Sequence, residues 1–163
     1  MARTIAIINQ KGGVGKTTTT VNLGAALAVA GCRVALLDLD PRADLTSYLS
    51  LTLATGTDSV YESLFGQGTP LTRLVQTTEV PGLFAAAASP DLVGAELLLQ
   101  QMPPRERFGE LVRAIRDLGS HYDFVLLDSP PGLQMLSVGA LRASDEVIIP
   151  QQCSYLALHG YFR

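Results

Sequence analysis

Lysine is almost missing from these 163 residues: Lys11 and Lys16 are the only two, and every other basic side chain is an arginine. Cysteine is equally scarce. Cys32 and Cys153 are too few for a disulfide framework and are not spaced as metal ligands, which points to a reducing, cytoplasmic setting with both as core thiols. No apolar run approaches the roughly 18 residues needed to cross a bilayer, and the opening MARTIAIINQ turns polar too early for a secretory signal. Charged residues make up 17% and the formal charge is −3, so no broad attraction to nucleic acid or to an anionic membrane is expected. There is no internal repeat and no linker. Hydrophobic residues, at 47%, suffice for the core of one domain.

Four short runs, IAII (5–8), VALL (34–37), FVLL (124–127) and VII (147–149), are apolar throughout rather than alternating. Strands buried on both faces of a parallel sheet have this pattern. Helical spacing lies between them: Val21, Ala25 and Ala28 share a face with Leu27 before Gly31, and Phe108, Leu111, Val112, Ile115 and Leu118 form a stripe between a proline pair and Gly119. Strands alternating with helices predict an α/β fold, a mostly parallel sheet with helices on both faces. The segment LFAAAAS after Pro81-Gly82 is open between strand and helix, because the flanking turn and Pro90 favour one and the alanines the other.

Both lysines stand in NQKGGVGKTTTT (9–20), directly after the first apolar run and at the start of a helical segment. A phosphate-binding loop needs inward N–H groups, a helix N-terminus behind them, a lysine for the phosphates and a hydroxyl for Mg²⁺. The backbone of Gly12, Gly13, Val14 and Gly15 supplies the first, with the glycines permitting close wrapping. Lys16 and Thr17 take the lysine and hydroxyl positions. Thr18 is expected near the α-phosphate, and Thr19 and Thr20 in the first helical turn. Two further runs end in carboxylates, VALLDLDPRADLT with Asp38 and Asp40, and FVLLDSPPG with Asp128. Parallel strands end on a common edge, so Asp38 and Asp128 should converge beside the loop, where carboxylates can hold Mg²⁺ through water or orient an attacking water.

The pattern G-x-x-x-x-G-K-[ST] is not met, because Gln10 stands at the first glycine position. The compact K-G-G-x-G-K-T resembles the deviant P-loop of the ParA/MinD family of partitioning and positioning ATPases. VALLDLDPRADLT resembles that family's switch I, YDFVLLDSPPGL its Walker B and switch II, and SDEVIIPQQCSYLALHGYF the next strand and helix entry. The resemblance implies a P-loop NTPase three-layer sandwich over 1–163, binding ATP and Mg²⁺. It implies that Lys11 reaches the partner's nucleotide in an ATP-dependent homodimer, that Asp40 positions the hydrolytic water, and that the Gly132 amide senses the γ-phosphate. Slow ATP hydrolysis stimulated by a ParB-like activator and by DNA, in chromosome or plasmid segregation, is the implied function.

Departures accompany the likeness. The partition branch usually reads Asp-Pro-Gln-Gly-Asn where this chain has Asp40-Pro41-Arg42-Ala43-Asp44. Nitrogenase iron proteins share the loop but carry cluster cysteines in contexts that Cys32 and Cys153 do not occupy. Family members also continue beyond this length, so a C-terminally truncated chain with an exposed sheet edge is expected. The missing part would hold the adenine pocket and the non-specific DNA-binding surface, with nucleoid association if full length. The alternatives are a non-catalytic nucleotide- or partner-binding module and a MinD-like positioning ATPase, although the amphipathic membrane helix of the latter is not in the sequence. Arg105, Arg107, Arg113 and Arg116 alternate with acids as on a solvated helix, and His121 and His159 have no triad partner.

Overall fold

The computed structural model describes residues 2–53, 59–65 and 69–153. In chain order the elements are β1 (Arg3–Ile7), α1 (Lys16–Val29), β2 (Val34–Asp38), α2 (Asp44–Tyr48), α3 (Val60–Phe65), α4 (Leu71–Leu74), β3 (Gln76–Thr77), β4 (Leu83–Ala86), α5 (Leu92–Gln101), α6 (Gly109–Leu118), β5 (Phe124–Asp128), α7 (Met135–Ala143) and β6 (Glu146–Ile148). They form one sheet in the order β3-β4-β2-β5-β1-β6, parallel except for the antiparallel β3–β4 pair. The four apolar runs are β1, β2, β5 and β6, and LFAAAAS resolves as the strand β4, paired in parallel with β2. The expected helix entry after β6, with His159, lies outside the described residues.

Each central strand feeds two cores, which explains why its sequence does not alternate. Ile5, Ile7, Val34, Leu36, Leu83 and Leu126 face α1, where they meet Val21 and Ala28, together with Leu45 of α2. Their neighbours Ala6, Ala35, Leu37, Val125 and Leu127 face the other way, onto a layer carrying Leu64, Leu71, Leu92, Leu99, Leu111, Ile115, Leu118 and Leu136. The result is the expected three-layer P-loop NTPase sandwich.

Several local expectations shift. The α1 stripe includes Gly24, where a Cβ would sit 2.7 Å from Leu36 Cδ2 and 3.0 Å from Leu83 Cδ1, so this position lets the helix lie close to the sheet. Of the stripe, Phe108, Leu111, Ile115 and Leu118 are buried and Val112 partly so, but its helix starts at Gly109, so Arg105 and Arg107 precede it in turns. Arg107 is not solvated as expected: its guanidinium donates to the Gln100 and Met102 carbonyls. Arg113 keeps the surface role, pairing with Glu110. Cys32 packs at the α1 core, whereas Cys153 is exposed rather than a core thiol. Among the described residues β6 stands at one end of the sheet, with Val147, and Ile149 just after the strand, partly exposed. Among the described residues no helix is long and apolar enough to cross a membrane.

Gly24→Val should overpack the α1–sheet contact and lower stability by about 1–3 kcal/mol. Thermal melting measures it, and an unchanged midpoint would show that Leu36 and Leu83 yield freely.

Candidate phosphate and metal site

Strand register sets the site. Asp128 at the end of β5 is level with Ile7 of β1 on one side and with Asp38 of β2 on the other. The chain leaves β1 over one face of the sheet through α1, and leaves β5 over the opposite face through α7. Diverging connections of this kind open a crevice beyond the strand ends. Residues 9–15 and 129–134 border it.

The loop turns into α1 through two left-handed glycines, Gly13 at φ 71° and Gly15 at φ 91°. A Cβ at either would meet no protein atom within 4 Å, so the backbone angle rather than a collision demands glycine there. Gly15 is the N-cap of α1 and offers no side chain to the first-turn amides, which leaves those donors for an external acceptor. Val14 is half-buried and Gly12 and Thr18 are exposed. Lys16 lies buried at the first helical position, and burial holds its ammonium pKa below the ordinary value against the pull of Asp128 and Asp40.

Thr17 Oγ1 donates to Asp128 Oδ2 at 2.7 Å, joining the loop helix to the end of β5. Thr20, one turn further on the same face, donates to Asp128 Oδ1 at 3.3 Å and to the Lys16 carbonyl at 3.0 Å. It is therefore more than a helix-starting residue, and its spacing of three from Thr17 was the available signal. Burial pushes the Asp128 carboxyl up to about 7, with Asp38 adding to the rise and the threonine hydrogen bonds opposing it.

Asp38, at the end of β2, is engaged by the switch I segment. Its Oδ1 accepts from the Asp40 amide and its Oδ2 from both the amide and the hydroxyl of Thr46, so it braces the switch I turn. Thr46 Oγ1 in turn accepts from the Ala88 amide after β4. Fully buried, Asp38 is pushed up to about 6. Asp40 is also buried, and the Arg42 guanidinium holds it, with Nη2 at 2.8 Å from Oδ2. Directly after Arg42, Ala43 adopts φ 54°, a left-handed backbone that explains why the usual pattern has glycine at this position.

Two further contacts lie across the crevice. The Gly132 N–H, expected to face a γ-phosphate, donates to the Gln10 carbonyl at 3.0 Å. Lys11 Nζ donates to Gln152 Oε1 at 3.1 Å, while Gln152 Nε2 donates to the Gly13 carbonyl at 3.1 Å. Gln152 follows β6 by a few residues, and nothing in its local sequence marked it as a loop contact.

The residues present fit a Mg²⁺-polyphosphate. Among the described residues no group of three or more His, Cys, Asp or Glu side chains is arranged around a metal. Mg²⁺ held partly by phosphates and water needs fewer protein ligands. A hydroxyl and a buried carboxylate in contact, beside a buried ammonium and free helix-terminal amides, supply the appropriate oxygens and charges.

Comparison with known proteins agrees with this geometry. A family model described as an AAA domain matches residues 2–163. The chain belongs to this family. Within the AAA domain family it is similar to ParA/MinD-type P-loop proteins: it is 44% identical over 160 residues to the sporulation initiation inhibitor protein Soj of Bacillus subtilis, covering 98% of this chain and 62% of that protein. Identity to the chromosome-partitioning ATPase Soj of Thermus thermophilus is 48% over 158 residues, covering 97% and 58%. The chain thus spans about three-fifths of the length of these relatives. A solved cobyrinic acid a,c-diamide synthase from Mycobacterium smegmatis with bound ADP and magnesium superposes with a TM-score of 0.88 at 37% identity, covering all of this chain and 66% of that one. The septum site-determining protein MinD of Pyrococcus horikoshii, complexed with Mg-ADP, gives 0.80 at 29% identity, covering 98% and 62%.

Burial of Asp128 gives a sign for pH dependence. Its folded pKa of about 7 lies above the ordinary 3.8, so the folded form binds the extra proton in that window. Stability without nucleotide is then greatest below the lower value and falls as the pH rises toward the upper one. The melting temperature should be lower at pH 8 than at pH 5, and Asp128→Asn should flatten that difference. An equal slope in the variant would place the titration elsewhere.

Proposed function

We propose that this AAA-family chain is the Mg·ATP-binding portion of a partition-type ATPase, forming an ATP-dependent homodimer across two nucleotides and hydrolysing ATP slowly. The observation that carries the reading is the Thr17–Asp128 contact of 2.7 Å beside buried Lys16, at the helix end opened by Gly15. The names of the similar Soj proteins, and the Mg-ADP in the MinD structure, support it.

In this mechanism the amides of Gly12, Gly13, Val14 and Gly15 and of the first turn of α1, including Thr18, bind the phosphate oxygens. Lys16 brings an ammonium that burial has stripped of part of its hydration, so its charge acts on the phosphate with little screening. Thr17 would hold Mg²⁺ together with Asp128, and Asp38 would support them from the second strand; the ion would supply positive charge to offset charge developing on the phosphates. Asp40 orients the attacking water, and the Gly132 amide exchanges from Gln10 to the γ-phosphate. Lys11 leaves Gln152 and extends to the partner's nucleotide. The setting is cytoplasmic and nucleoid-associated. A ParB-like activator, and DNA contacted outside these residues, accelerate turnover in chromosome or plasmid segregation.

In the protein, Lys16→Ala should weaken ATP binding at least about tenfold, the loss expected for a charge-assisted contact. Lys11→Ala should keep binding in one subunit and lose ATP-dependent dimerisation, and Asp40→Ala should keep the dimer and slow phosphate release. Calorimetry, light scattering and phosphate release check these in turn. A normal dimer from Lys11→Ala would refute the cross-subunit role. Binding by the wild type without phosphate release would make the chain a nucleotide-binding module.

A further inference from the structure

Switch I carries a cation that the proposed mechanism does not use. Arg42 reaches Asp40 through both sides of its fork: Nε lies 3.3 Å from Oδ1 and 3.2 Å from Oδ2, and Nη2 lies 2.8 Å from Oδ2. Its backbone N–H also donates to Asp40 Oδ1 at 3.0 Å, closing a tight turn. The carboxylate assigned to the water is thus held from two directions by a residue two positions away. Asp40 is 4% exposed at its side chain and Arg42 is 54% exposed, so the acid is buried while the guanidinium reaches solvent. A second acid, Asp44, lies 3.4 Å from Nη2 on the outer side. The guanidinium is also within electrostatic reach of Lys16, which it disfavours as a cation, and of Asp128.

A bidentate arginine pairs with a phosphoryl group by the same geometry that it uses for a carboxylate. A terminal phosphate brought in by Lys16 and the loop would compete with Asp40 for this guanidinium, and it carries more negative charge. An Asp40 whose two oxygens are engaged and charge-compensated by arginine is a weaker acceptor for water, so opening the pair strengthens that group. The left-handed Ala43 beside it gives the turn a strained joint about which to rearrange.

We propose that Arg42 reads the terminal phosphate of the bound nucleotide, its guanidinium exchanging from the Asp40 carboxylate to the γ-phosphoryl oxygens and releasing Asp40 for the water. The inference rests on the Mg·ATP reading above. It makes Arg42 a discriminator of ATP from ADP and a positioning residue for hydrolysis, in a place where the usual pattern of the family has glutamine.

The test measures binding of a non-hydrolysable ATP analogue and of ADP, each with Mg²⁺, to the wild type and to Arg42→Gln, Asp40→Asn and the double variant. Arg42→Gln should weaken the analogue about tenfold, as loss of a charge-assisted pair does, and leave ADP within about twofold. Asp40→Asn, which keeps an acceptor for the turn, should tighten the analogue by freeing the guanidinium. That gain should vanish in the Arg42→Gln background, since coupling of this kind appears only when both partners are present. Equal weakening of both nucleotides by Arg42→Gln, or no weakening of either, would overturn the proposal, as would a gain that persists in the double variant. Failure of the wild type to bind either nucleotide would overturn the Mg·ATP reading and this inference together. Matching melting temperatures confirm that the variants fold, and Arg42→Lys, with charge but no fork, should fall between the wild type and Arg42→Gln.

Discussion

The hydrogen bond between Thr17 and Asp128 ties together two segments that lie 111 positions apart. It can form only because β5 stands between β1 and β2 in parallel register, which brings the ends of all three strands to one level. Everything else at the crevice follows from that alignment. The loop after β1 must turn sharply to enter α1, so left-handed glycines occur there, and the segment after β5 must depart to the other face. A hydroxyl from one and a carboxylate from the other meet in the gap. Burial pushes this carboxyl's pKa up to about 7, and a nearby cation would pull it back down.

Charge is distributed unusually around that gap. Asp38, Asp40 and Asp128 are buried together with Lys16. Each of the two outer aspartates is compensated locally, Asp38 by Thr46 and an amide, Asp40 by Arg42. Asp128 has only threonine hydroxyls on its oxygens among these contacts. This asymmetry distinguishes three carboxylates that the residue type alone could not: Asp38 is tied into switch I, Asp40 is restrained by its own turn, and Asp128 meets two threonine hydroxyls.

Much of this was legible in the sequence. Unbroken apolar runs gave four of the strands because burial on both faces leaves no polar alternation, and the glycine–lysine–threonine string fixed the loop because few other uses demand that combination. The remainder was hidden for physical reasons. α3 and α4 are six and four residues long, too short to display a helical period. β4 is rich in alanine, which favours helix locally, and only pairing with β2 makes it a strand. Arg107 looked like one of a mixed-charge set because its carbonyl partners come from a turn, and carbonyls leave no mark in a sequence. Gln152 and Thr46 act across long separations through ordinary amides and hydroxyls. Asp38 was legible at the strand end, but its hydrogen bonds to Thr46 and the Asp40 amide were not, because they depend on how the following turn folds.

The central claim is that Thr17 and Asp128 together hold a Mg²⁺ ion against a nucleotide's phosphates. Calorimetric titration of the protein with ATP, once with Mg²⁺ and once with the metal chelated, tests it most directly. Mg²⁺ should tighten binding at least about tenfold, since an ion that bridges phosphate to protein contributes contacts neither makes alone. Equal affinity in both titrations, or no binding in either, would contradict it.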